Sequence, residues 1–150
     1  MLLNGISIAG IDIFLGKYVQ NKGSGGNLTS DMLHVFKDAT KTDSGGKSYC
    51  DQLLEHEDTR SFVGPATVFI SHSWKYDFEM LVKYLKDCFE EKPEARLWID
   101  IFSHNQHNEL SSDEWITNFE EQIKRIKHTV MIAQPWDNPI PFTRYVNLPS

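Results

Sequence analysis

The chain lacks most of what would mark a secreted scaffold, a membrane protein or a nucleic-acid binder. Cysteine occurs only at Cys50 and Cys88, so at most one disulfide could form and a disulfide-stapled fold is excluded. Both cysteines fall in helical patterns and are expected to be reduced and structural. No apolar run approaches the roughly 20 residues of a membrane span. The fairly apolar stretch from Met1 to Leu15 has no basic leader and is interrupted by Asn4 and Asp12, so it does not read as a signal peptide. Positive charge is short as well. A net charge of −6 removes the electrostatic reason to expect nucleic acid or an anionic membrane as partner. The expectation is a cytoplasmic protein. Common catalytic signatures are also missing: there is no dinucleotide-binding Gly-x-Gly-x-x-Gly and no P-loop, and no Gly-x-Ser-x-Gly elbow surrounds Ser71 or Ser73.

What the chain does have is a central apolar run, Ala66-Thr67-Val68-Phe69-Ile70, preceded by Gly64-Pro65 and followed by Ser71-His72-Ser73-Trp74. A short run rich in β-branched and aromatic residues reads as a fully buried parallel strand. From there the pattern alternates. Strand Thr67–Ser71 leads to a helix over Asp77–Glu91 with Phe78, Leu81, Val82, Leu85 and Phe89 inward. Strand Arg96–Ile101 leads through a polar loop to a helix from Ser112, announced by the capping box Ser111-x-x-Glu114 and carrying Trp115, Phe119, Ile123 and Ile126. A third buried strand covers Thr129–Ala133. Such β-α-β-α-β alternation predicts an α/β fold of flavodoxin-like type, with a parallel sheet of about three strands in order 2-1-3 and the third strand at an edge.

Residues 1–60 read as a helical N-terminal extension and residues 61–150 as the partial α/β unit. Residues 1–20 are compatible with a strand or a helix start. Thr29 or Ser30 is expected to cap a helix carrying Met32, Leu33 and Phe36, and Ser48-x-x-Asp51 a helix with Tyr49, Leu53 and Leu54 inward. Thr40–Lys47 is turn-rich. Glu90-Glu91 and Glu120-Glu121 read as solvated helix faces.

In open α/β sheets ligands bind at the carboxyl ends of the strands. The candidate site residues all fall there: Ser71, His72, Ser73 and Trp74 after strand one, Asp100 and Ser103 at strand two, and Trp136 and Asp137 after strand three. Amides opening the first helix could hold a phosphate, and the two indoles could stack a flat heterocycle or simply pad the sheet's top edge. His72 could bond a ligand or help order the crevice, or, as a structural group, bond a neighbouring backbone carbonyl. The pair His104-x-x-His107 beside Asp100 does not match the helical spacing of zinc-binding histidines, so an ordinary loop is expected and no metal. Composition and pattern alone support a small α/β ligand or interaction domain and give no reaction.

Three stretches together resemble TIR-like domains of the group found in large protist and invertebrate proteins, often beside kinesin-light-chain-type tetratricopeptide repeats. They are Gly64–Trp74, Phe102-Ser103-x-Asn105-Gln106-His107, and Pro135-Trp136-Asp137-Asn138-Pro139-Ile140-Pro141-Phe142-Thr143-Arg144. Leu97-Trp98-Ile99-Asp100 and Gln122–Ile126 are similar to the second strand and the helix before the third, and the likeness covers about residues 28–144. It implies self-association or protein partners in signalling, and an NAD pocket at the end of strand one, the polar loop after strand two and a helix after strand three. That last helix carries the family's catalytic glutamate. Here Ser150 stands at its position and Pro149 precedes it, so the chain resembles a C-terminally truncated member. The implied function is a signalling or interaction module with an NAD or nucleotide crevice and little or no NAD cleavage of its own. The alternatives are an NAD glycohydrolase using Asp100 or Asp137, or a fragment without function. No cofactor is required under the first reading.

Overall fold

The computed structural model describes residues 3–19, 28–43, 45–73, 75–107, 112–126 and 128–132. Its central sheet has five strands, so the expected three are corrected upward. In chain order these are β1 (Asn4–Ile6), β4 (Val63–Pro65), β5 (Val68–Ser71), β6 (Leu97–Trp98) and β7 (Thr129–Met131); β2 (Lys41–Thr42) and β3 (Gly45–Gly46) form a separate small hairpin. The spatial order is β4-β1-β6-β5-β7. β5 is parallel to both β6 and β7, with Phe69 opposite Trp98 on one side and Thr129 on the other. This trio has the expected order 2-1-3, with the apolar run in the middle and β7 at the edge of the described sheet. β1 runs antiparallel to β4 and β6. Its close approach needs a glycine: a Cβ on Gly5 would lie 2.7 Å from the Arg96 carbonyl carbon and oxygen.

The helices follow from their caps. Ser7 accepts from the Gly10 N–H at 3.1 Å to open α1 (Ile8–Phe14), so the ambiguous first segment contains both a strand and a helix. α2 (Leu33–Thr40) continues from a 3₁₀ turn, Thr29–Met32. Thr29 does not cap it, because its hydroxyl reaches Tyr76 instead, and Asp31 takes the Leu28 N–H. Ser48 caps α3 (Tyr49–Leu54) through the Asp51 N–H. There Tyr49, Cys50 and Leu53 are buried, whereas Leu54, expected inside, is exposed. Asp77 caps α4 (Phe78–Phe89) through the Met80 N–H, and all five predicted apolar residues are buried. The strand expected over Arg96–Ile101 stops at Trp98. The Ser103 hydroxyl accepts from the Ile99 N–H, and the Ile99 carbonyl takes the N–H groups of Phe102 and Ser103, so the chain turns into α5 (Asp100–Ser103). α6 (Ser112–Ile126) matches its expected span. Ser111 and the side chains of Glu114, Trp115 and Phe119 lie outside the described residues.

Side chains alternate across a strand, and here they sort into two cores. Val68, Ile70, Leu97 and Ile99 join one with Phe14, Phe36, Tyr49, Phe78 and Phe102, one ring from each of α1 to α5. Phe69 and Trp98 point the other way and meet Ile126 of α6. No helix among the described residues is long and apolar enough to cross a membrane.

Candidate functional site

The strand that ends at Ser71 delivers His72 to a buried position, its side chain 1% exposed. Two residues past β6, Asp100 opens α5. The two meet: His72 Nε2 lies 2.8 Å from Asp100 Oδ1. A carboxylate only accepts, so Nε2 carries the proton and the bond fixes the ring's orientation. The same Oδ1 accepts the Ile101 N–H at 2.8 Å. The far nitrogen, Nδ1, lies 3.4 Å from the Ser73 carbonyl oxygen, at the long limit of a hydrogen bond. The Asp100 contact, which neither reading of the sequence names, is the shorter of the two. The pair thereby ties together the carboxyl ends of two neighbouring strands, and Asp100, at 18% side-chain exposure, is its outward member.

The remaining candidates take different roles. Ser71 is buried in the strand, and its carbonyl accepts the Ile132 N–H at 2.9 Å. The Ser73 hydroxyl accepts the Lys75 N–H at 3.1 Å and shapes the turn toward α4. Ser103 faces inward, bonded to the Ile99 N–H and 3.7 Å from Cys50 Sγ. Burial pushes the Cys50 thiol up to about 12, which favours its protonated form. The structure thus joins His72 to Asp100, with the Ser73 carbonyl beside the ring, and turns the Ser103 hydroxyl to folding. Trp74, Trp136, Asp137 and Ser150 lie outside the described residues.

The loop after α5 is more constrained than its polar sequence suggests. Gln106 donates to the Asp100 carbonyl at 2.8 Å and the His104 carbonyl at 3.1 Å. Asn105 donates to the Gly46 carbonyl at 3.1 Å and accepts the His107 N–H at 2.9 Å. His107 Nε2 lies 2.9 Å from the Thr40 hydroxyl, which already donates to the Phe36 carbonyl. His107 stands so close to the hairpin that a Cβ on Gly46 would strike its ring. His104 is half-buried, and that burial pulls its pKa below the ordinary value against the smaller opposing pull of Asp100. His104 thus feels the Asp100 charge, whereas His107 is held by the Thr40 hydroxyl. Thr40, Asn105, Gln106 and His107 carry these contacts, and Thr29 makes a separate one to the Tyr76 carbonyl. Nothing in the sequence marked their long-range partners, because hydroxyls at helix ends read as caps and loop amides as solvated groups.

Comparison of the chain with protein-family models, curated proteins and solved structures finds no match in any of the three.

Proposed function

We propose that the chain is a TIR-like interaction module whose crevice, at the carboxyl ends of β5 and β6, binds NAD or a related nucleotide. The reading is supported chiefly by the His72–Asp100 bond. It joins two strand ends at the position where α/β sheets recruit ligands, and those ends are the ones the motif resemblance assigns to the pocket. A polar floor held rigid by such a bond can orient a ribose or amide without rearranging. Binding is favoured over cleavage because Asp100 Oδ1 already serves His72 and the Ile101 amide, and because Ser150 stands where the resemblance puts the glutamate. Partners, or further copies of the chain, would recognise the module as a whole.

The test is titration of purified protein with NAD, read by tryptophan fluorescence and, in parallel, by release of free nicotinamide. The expected outcome is a saturable signal with no nicotinamide above a heat-killed control. Asp100→Ala should weaken binding by about tenfold, the worth of one charge-assisted hydrogen bond. Absence of any saturable change at millimolar NAD would reject the nucleotide reading. Turnover abolished by Asp100→Ala would instead establish a glycohydrolase.

A further inference from the structure

We propose that α2, with the turn leading into it, is a brace that holds both loops of the candidate site, Thr29 and Thr40 being its positioning residues. At its start, Thr29 directs its backbone N–H (2.7 Å) and its hydroxyl (2.9 Å) to one acceptor, the Tyr76 carbonyl. Leu28 pairs with Asp77 beside it. Tyr76 lies in the connection from His72 to α4, and its hydroxyl reaches on to the Ile132 carbonyl after β7 at 3.0 Å. At the other end, the Thr40 hydroxyl donates to Phe36 and so accepts from His107 Nε2–H. Asn105 and Gly46 add a second tie at that end.

Both threonines are buried, at 0% and 3% exposure, and their partners are 47 and 67 residues away in sequence. Between them Phe36 stacks on Phe14 at 4.2 Å, so the brace cannot slide without breaking the ring cluster. Each end leads to one member of the His72–Asp100 pair. Tyr76 donates its N–H to the Ser73 carbonyl, the group beside His72 Nδ1. Gln106, in the loop held by Thr40, donates to the Asp100 carbonyl. The continuous segment from Thr29 to Thr40, the 3₁₀ turn and α2 together, therefore governs where both partners of the His72–Asp100 bond sit. This inference rests on that pair being the site, but its test uses no ligand, so its outcome is independent of whether NAD binds.

The test compares the full chain with Thr29→Val and Thr40→Val, reading the His72 Nε2–H resonance by ¹⁵N NMR together with amide exchange at Tyr76, His104 and His107. Each valine variant is expected to shift or broaden the His72 signal. Each should also speed exchange by about five- to tenfold, at its own end and at the opposite one. Thr29→Ser and Thr40→Ser, which keep the hydroxyl, should restore the wild-type spectrum. Faster exchange confined to the substituted end, or a His72 signal unchanged in a folded valine variant, would overturn the brace. Should a valine variant fail to fold, Asn105→Ala removes the second tie from a half-buried loop position. It too must move the His72 signal, and an unmoved signal would overturn the proposal equally.

Discussion

The two faces of the sheet are built on different principles. On one, five rings from five helices converge: Phe14 stacks on Phe36 and meets Tyr49, Phe78 and Phe102 edge-on at 5.0, 6.1 and 5.4 Å. On the other, Phe69 and Trp98 stack at 5.1 Å beneath Ile126. The first face gathers contacts that are distant in sequence. The second is a pair on adjacent strands covered by one helix. Aromatic pairs contribute beyond their buried area, so the dense face should dominate stability. It also shows that residues before β4 do more than decorate the sheet, since α1, α2 and α3 each supply a ring to its core.

The largest effect should come from breaking that node. Phe14→Ala is expected at the upper end of the roughly 3–5 kcal/mol typical of buried Phe or Trp truncation, and Trp98→Ala at the lower end. Urea unfolding of both variants measures the difference, and a larger loss for Trp98→Ala would reverse the ranking of the faces. A smaller effect separates two glycines that face each other across β1 and β4. Gly5→Ala drives a methyl into the Arg96 backbone and should cost about 1–3 kcal/mol. At Gly64 the nearest atom to an added Cβ is an Arg96 side-chain carbon at 3.7 Å, so Gly64→Ala should stay within about 0.5 kcal/mol. Equal losses would mean that β1 does not press on β6.

The smallest expected effect is the pH response of His104. Its folded pKa is depressed by burial, so the unfolded chain binds this proton more readily than the folded one. The stabilising difference is complete above the unfolded value of about 6.5 and is lost as pH falls through the lower folded value. His104→Gln should therefore flatten the decline in thermal midpoint between neutral and mildly acidic pH. An unchanged slope would remove His104 as its source.

The central strand, the order of the parallel trio and the whole apolar face of α4 were legible because a buried strand and a 3.6-residue period both leave strong patterns. The third strand, expected buried over Thr129–Ala133, is instead a half-covered edge strand, Thr129–Met131, with Thr129 exposed. β1 and β4 were not legible. Three-residue strands are too short to show an alternation, and Gly5, Gly64 and Pro65 are residues that strands avoid. The end of β6 was misplaced because Ile99 and Ile101 extend the apolar run, while the turn is set by the Ser103 hydroxyl, a contact that composition does not announce. For the site, polar residues after strands pointed to His72 and Asp100 individually. Their mutual bond required the strand order, and the inward turn of Ser103 required α3 to supply Cys50.

The strand order also dictates a shape. Only Ala66 and Thr67 separate β4 from β5, yet β1 and β6 stand between these strands in the pairing order. Across a flat sheet that gap would be three interstrand spacings, about 14 Å, whereas the three Cα–Cα steps from Pro65 to Val68 reach at most about 11 Å. The sheet must therefore curl, with residues 63–71 acting as one bent ribbon whose first half is hydrogen-bonded to β1 and whose second half leans on β6. Ala66 donating to Leu3, and Thr67 exchanging bonds with Arg96, rivet the elbow. Any lengthening of this two-residue elbow would release the curvature and uncouple the chain's opening segment from its central strand.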